Sequence, residues 1–525
     1  MVNGRLWYGL PLLMSMAACG TMAMAEGNGK TNGTVENVPE ATVILDRVKV
    51  AGPDINIRTD CGAEGDGKTN DTEAFRKAAE LIKKAGGGRL FIPAGTYIVG
   101  RQIHKDGKYP YYQYQQIFAM DRIDGLVIEG ESGSVIRMDS NMRFGSFDKD
   151  KGTPFDPVAE KVLKNGVFSD SNYQANAGIM FQITNSRNII IRNLELDGNN
   201  GKVTLGGMWG DTGRQCLGHG IGLYGNAYVL IENVNVHHNA CDGIIIGYRN
   251  LKENDPPAPH VLVNVRSEYN ARQGLSWVGG NSLAAVNCLF NHTGKSGFCS
   301  KPGAGLDIEA EESICRNGIF RNCEFIDNNG LGVGADSGDG GYTTFENCVI
   351  WGTTTYAMWN RKPGMKFNNC KFYGSIIHSY GSAKEPELAT QYRNCIFEDK
   401  EHPEFGVYRS GSLIKNAGPN VLFDNCDIVA NKVTGFYLTN GAIVRNCRIT
   451  HKNTDGTDGS AQSFFHKSLI ENVHFMEKFP DNFSKKYYVG QDRVKVGEGV
   501  IVDGPAIKWS NCDGLTGQIP PSVKN

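Results

Sequence analysis

Three acidic residues lie close together in a stretch otherwise rich in Gly and Asn: Asp307, Glu309 and Asp336. Asp307 and Glu309 are two residues apart, so on a strand they share a face, about 6.7 Å from one another. If the segment holding Asp336 stacks beside theirs, the Glu309 and Asp336 backbones are neighbours at about 4.8 Å. Like charges that close are destabilising unless they serve a purpose, and they push at least one carboxyl pKa upward. An acid beside a base is what cleavage of a glycosidic bond requires. The same oxygen-rich cluster also suits a hard cation such as Ca²⁺. A single outward carboxylate, by contrast, is an ordinary solvated side chain.

Other side chains gather around this patch. Trp359 and Arg361 fall one repeat beyond Asp336, and Lys301 lies in the loop 292–304 before the acidic strand. Tyr356, His378 and Asp242 each occupy the place just before a recurring small residue. Arg holds a carboxylate or sulfate in bidentate fashion, and aromatic rings offer flat apolar faces to a sugar. These six are the candidate substrate contacts. The alternation phase of Trp277 points inward. His237-His238 reads as a turn pair, since no metal-ligand partner lies at a matching spacing. Cys299 and Cys315 flank the acidic strand, and their spacing leaves their pairing open. Long insertions at 104–118 (with Tyr109, Tyr111, Tyr112 and Tyr114), 140–176 and 199–217 are candidate cleft walls.

The elements that position these residues follow from a repeat. Of 14 cysteines, eight follow an Asn: Cys288, Cys323, Cys348, Cys370, Cys395, Cys426, Cys447 and Cys512. The same step recurs as Asn193-Leu194, Asn233-Val234, Asn264-Val265 and Asn472-Val473, so Cys stands where any small apolar residue fits. The steps return every ~20 to 40 residues, the period of a solenoid. Alternating segments follow, as in Cys323-Glu324-Phe325-Ile326-Asp327, which marks short strands with one buried face. Ten residues after the Asn comes a Gly, at Gly243, Gly274, Gly332, Gly435 and Gly456, with Ala357 in the same place. Asn239, Asn270 and Asn328 share one turn position, a candidate Asn ladder. These registers predict a right-handed parallel β-helix; a propeller or sandwich needs no such stacking.

Alignment on the small residue gives two outward columns. Two residues on, the order is Gly222, Ile245, Ser276, Asp307, Gly334 and Trp359; four residues on, it is Tyr224, Gly247, Val278, Glu309, Asp336 and Arg361. Residues 60–100 form an N-terminal cap. Asp71 or Thr72 starts a helix running to about residue 85, with Phe75, Ala78, Ala79 and Ile82 on its apolar face, and it covers the first coil.

The N-terminus reads as an export signal, with Arg5 before an apolar run at 6–18 too short to span a bilayer. Two processing readings compete: a signal peptide of residues 1–25, or a lipoprotein signal to residue 18 with Cys19 lipidated. The lipid at Cys19 is then the sole membrane link. Residues 26–45 read as a flexible linker, and 46–525 as one β-helix domain. The chain is 525 residues long, and a net charge of −2 gives no basis for nucleic-acid binding.

The stretch Asp60-Cys61-Gly62 through Gly100 carries the pattern GDGxxNDTxAFxxA…GGGxLFIPAGTY and resembles the N-terminal segment of the pectate-lyase-like superfamily of rhamnogalacturonase- and epimerase-like proteins. Residues 305–336 look like the active-site strands of mannuronan epimerase modules. The resemblance implies that Asp307 matches a catalytic Asp and Asp336 the Asp of the following coil, while Glu309 stands where that family has a catalytic His. Epimerases and lyases need a His or Tyr to shuttle the carbon-5 proton. Glu in that place favours hydrolysis. The expected activity is therefore glycoside hydrolysis of a polysaccharide, with lyase or epimerase chemistry as the alternative and a non-catalytic carbohydrate-binding β-helix as the rival class.

Overall fold

The computed structural model describes residues 38–105, 111–148, 151–154, 175–207, 217–452, 462–477, 488–489, 493–503 and 512–513. The export signal with Cys19, residues 26–37 of the expected linker, Tyr109, most of the insertion at 140–176 and residues 208–216 of the insertion at 199–217 lie outside the described residues.

Each coil turns a corner at the Asn of its Asn-apolar step. Asn193, Asn233, Asn264, Asn287, Asn322, Asn347, Asn425, Asn446 and Asn472 all have positive φ. Among non-glycine residues Asn adopts this left-handed conformation most readily, and this is why Asn opens every step. Its side-chain amide then reaches the coil before. Asn233 Nδ2 donates to Asn193 Oδ1 at 3.2 Å, Asn264 to Asn233 at 3.0 Å and Asn322 to Asn287 at 3.1 Å. The expected ladder at the other turn is also present in part: Asn239 Nδ2 donates to Asn270 Oδ1 at 2.8 Å, whereas Asn328 Oδ1 accepts from the Thr293 backbone.

The residue after the corner points inward. Cys288, Cys323, Cys348, Cys370, Cys395, Cys426 and Cys447 are buried free thiols, and Cys512 is half-buried. Beside them runs an aromatic ladder in which Phe320–Phe345, Phe345–Phe367, Phe367–Tyr392 and Tyr392–Phe423 stack at 4.8 to 5.2 Å. Trp277 is fully buried, as its phase requires. Cys315 is a buried free thiol, so it does not pair with Cys299.

The result is a right-handed parallel β-helix. Its site-bearing face is a sheet of eleven strands among the described residues. In chain order these are β1 (Phe118–Asp121), β2 (Phe181–Thr184), β3 (Ile221–Tyr224), β4 (Asp242–Gly247), β5 (Gln273–Trp277), β6 (Ala304–Ile314), β7 (Val333–Asp339), β8 (Met358–Asn360), β9 (Ile376–His378), β10 (Ser412–Lys415) and β11 (Thr434–Tyr437). Each pairs in parallel with the next. The first outward column holds: Gly222, Ile245, Ser276, Asp307, Gly334 and Trp359 are successive partners.

Two helices close the exposed surfaces. Thr72–Ala85 (α2) buries Phe75, Ala78, Ala79 and Ile82 as expected, and Gly86 in the left-handed conformation ends it. Asp71 is its N-cap residue as expected, but the Asp71 side chain does not bond the helix; its carboxylate accepts from the Glu64 and Gly65 backbone amides at 2.8 and 3.1 Å. Pro39–Arg47 (α1) corrects the expected linker over its last residues. It buries Ala41 and Ile44 against the outward face formed by Val127, Ile190, Leu230, Val261 and Ala284. Uninterrupted apolar runs such as Val261-Leu262-Val263 need cover on both faces, and α1 provides the outer one.

Candidate active site

A cavity of about 1040 Å³ opens on the eleven-stranded sheet. Asp307, Glu309, Asp336 and Trp359 line it, together with Tyr224, Tyr248, Arg249 and Arg272. The three carboxylates singled out in the sequence therefore meet in one cleft, but their register differs from simple stacking. Glu309 is opposite Ser337, and the pairing shifts between Ile308 and Glu309. Asp336 is the extra residue of that bulge. It is exposed at the rim rather than stacked on Glu309. Bulges re-aim side chains in this way beside active sites.

The carboxylates sit in unequal surroundings. Asp307 is 5% exposed, and the Gln273 side-chain amide donates to its Oδ2. Burial, then the charge of Glu309, pushes its carboxyl well above the usual range; Arg272 opposes this only in part. Glu309 faces the guanidinium, with Arg272 Nη2 3.5 Å from its Oε2. Arg272 is itself buried, and its Nη1 lies 3.5 Å from Asp242 Oδ2. His219 Nδ1 stands 3.3 Å from the same carboxylate oxygen. A buried chain thus runs from His219 through Asp242 and Arg272 to Glu309. Burial works against ionisation of Asp242, but Arg272 and His219 outweigh it and hold its carboxyl below the usual value.

Asp242 is therefore not a substrate contact. It is completely buried and orients Arg272 from below. Trp359 lies in the main cavity. Arg361 and His378 line an adjoining cavity of about 410 Å³ with Ser379 and Asn416, and the Trp359 and His378 rings stack at 5.8 Å. Tyr356 packs edge-on against Tyr408 at 5.1 Å. Lys301 is exposed, and its neighbour Pro302 forms the cavity wall in its place. For a bound Ca²⁺, the guanidinium beside Glu309 would be a repelling neighbour.

Arg272, Gln273 and His219 were not singled out in the sequence, although a signal was there. His219 and Gln273 occupy the same place before Gly220 and Gly274 that Asp242 occupies before Gly243, and Asp242 pairs directly with Gln273. Arg272, one residue earlier, is a charged residue entering a strand whose every member is buried.

The family described as the right handed beta helix region matches residues 210–372 and 337–482, together more than half of the chain. The chain belongs to this right-handed β-helix family. It is 25% identical over 280 residues to uncharacterized protein YclG of Bacillus subtilis, covering 51% of this chain and 41% of that protein. A shorter match, 52% identical over 40 residues, links it to alginate lyase 7 of Azotobacter vinelandii, with 8% and 5% covered. The chain thus spans about two fifths of the first relative and a twentieth of the second. Among solved structures, it is similar to the A-module of Azotobacter vinelandii mannuronan C-5 epimerase AlgE4, with 15% identity, a TM-score of 0.34 and 87% and 100% of the two chains covered. A Thermotoga maritima exopolygalacturonase gives 15%, 0.26, and 90% and 94%.

Proposed function

We propose that this chain is a polysaccharide-acting enzyme that hydrolyses glycosidic bonds in the cleft of the eleven-stranded sheet. The observation that carries the reading is the contrast between two neighbouring carboxylates. Asp307 is buried, which favours its protonated form, while Glu309 is only partly buried and faces the Arg272 guanidinium. Asp307 gives its proton to the glycosidic oxygen as the carbon–oxygen bond breaks. Glu309 takes a proton from the attacking water, whose oxygen bonds to the anomeric carbon, and exchange with solvent restores both groups. Asp336 at the rim adds negative charge facing the positive charge that develops on the sugar ring. Trp359 offers a stacking face, and Arg361 with His378 receives an acidic unit of the polymer next to the cleavage point.

A second reading is β-elimination. The short 52% match to a protein named alginate lyase supports it. Here a basic group in the cleft withdraws the proton at carbon 5 of a uronate, Asp307 protonates the leaving oxygen, and a carbon–carbon double bond forms. The products separate the two readings: saturated ends from hydrolysis, an ultraviolet-absorbing unsaturated uronate from elimination. Binding to a glycan panel without any product would overturn both and leave a carbohydrate-binding β-helix.

A further inference from the structure

The histidine pair at 237 and 238 has neighbours that its sequence spacing does not reveal. His237 ends the strand Ala227–His237, and its stacked partner on the preceding coil is Asp197, the last residue of Arg187–Asp197. His238 follows in the left-handed conformation, which turns the chain and brings its ring back beside that of His237. The two Nδ1 atoms are 2.7 Å apart, and Asp197 Oδ1 lies 3.7 Å from His237 Nδ1. One ligand atom from each of the three residues lies within 4.8 Å of the others.

We propose that Asp197, His237 and His238 form a binding site for a divalent transition metal of the zinc class. Two imidazole nitrogens and one carboxylate oxygen are the donor set that Zn²⁺, Ni²⁺ and Cu²⁺ accept, with a fourth position left to water. Two nitrogens on one zinc ion stand about 3.3 Å apart, given bonds of about 2.05 Å. The rings therefore need to open by only about half an ångström from their mutual hydrogen bond.

The support around these groups is that of a prepared site. Glu195 Oε1 lies 3.2 Å from His237 Nε2, the ring nitrogen away from the pair, where a carboxylate is placed to orient a ligating histidine. The His238 ring lies flat on Tyr269 at 5.2 Å, and Tyr269 in turn on His292 at 4.7 Å. Asp197 Oδ1 accepts from the Asn199 backbone at 2.8 Å and lies toward the rings, while its Oδ2 pairs with Arg137 Nε at 2.7 Å, a cation on the far oxygen that weakens the carboxylate as a ligand and that the two imidazoles offset. A metal here would tie two coils together at the root of the segment that begins at Gly198.

Co²⁺ titration of the full chain, read by visible absorption, tests this directly. The expected result is uptake of one equivalent with ligand-field bands and without the near-ultraviolet charge-transfer band of a thiolate. Zn²⁺ should displace the Co²⁺ and raise the melting temperature. His238→Gln and Asp197→Asn should weaken binding at least ~10-fold, and Glu195→Gln by a similar factor through the orientation of His237. Melting curves without metal confirm that each variant is folded, and Asp197→Asn keeps the test open if His238→Gln is not. Absence of uptake, a thiolate band, or unchanged uptake in the folded variants would overturn the proposal.

Discussion

Arg272 holds Glu309 from beneath: its Nη2 lies 3.5 Å from the Glu309 carboxylate while its Nη1 lies 3.5 Å from the buried Asp242. One guanidinium therefore couples a sealed anion to the cleft. It stands beside Glu309, while burial and the charge of Glu309 push the neighbouring Asp307 carboxyl well above its usual range and Arg272 opposes this only in part. Removing Arg272 should cost stability as well as activity. Arg272→Ala takes from the buried Asp242 its guanidinium partner and leaves it to His219 and the Cys241 thiol, and a broken buried pair costs about 3 to 5 kcal/mol. Denaturant melts should show that loss, and Arg272→Lys should recover part of it. A variant as stable as the parent would mean that Asp242 does not depend on this contact.

Asp307→Asn should lower turnover by at least ~100-fold with the fold intact, the usual scale for losing a general acid. Asp336→Asn and Glu309→Gln are expected to fall by a comparable factor. Steady-state kinetics on the responsive polysaccharide, beside circular dichroism, provides the check. Full activity in both Asp variants would move the chemistry off this sheet.

Asp307 also sets a pH dependence. An unfolded Asp titrates near ~3.9. Burial and Glu309 raise the folded value well above this, so the unfolded chain loses its proton first. Between the two values the native state binds more protons, and stability falls as pH rises. Below the ordinary value both states are protonated, and the contribution is fully present. Asn has no such proton, so Asp307→Asn should flatten this slope in melts taken across pH. A slope parallel to that of the parent would contradict the buried-acid assignment.

The corner Asn residues predict a backbone effect. At Asn322, φ is 53° and the side chain bonds Asn287. Asn322→Ala loses two side-chain hydrogen bonds, the one it donates to Asn287 and the one it accepts from Asn347, and forces Ala into the left-handed region, for about 2 to 5 kcal/mol together. Asn322→Gly keeps the backbone freedom and should lose only the share of the two hydrogen bonds, about 1 to 3 kcal/mol, and less than Asn322→Ala. Equal losses from chemical denaturation would show that the conformation does not select Asn.

The architecture was legible because stacking imposes fixed offsets. The small residue that recurs after the Asn, ten residues on at Gly332 and Ala357 and later at Gly305 because of the loop 292–304, was enough to place Asp307, Gly334 and Trp359 in one outward column. The cap helix was legible for a similar reason, since Phe75, Ala78, Ala79 and Ile82 repeat at helical spacing. The bulge at Asp336 was not, because one inserted residue changes the register without changing the sequence pattern. Helix α1 was hidden by its polar context, and its trace was the apolar outer face of the coils it covers. Arg272 escaped notice because reading outward columns overlooks residues that enter the strand from its buried end.

The central claim is that this cleft hydrolyses a polysaccharide with Asp307 as the acid. The most direct measurement is incubation of the protein and of Asp307→Asn with a panel of plant, algal and host polysaccharides, with products analysed by mass spectrometry and ultraviolet absorbance. The account predicts oligosaccharides that have gained one water for each bond cut, no growth in absorbance, and loss of these products in Asp307→Asn. Products with the mass and absorbance of an unsaturated uronate, or hydrolysis undiminished in the variant, would contradict it.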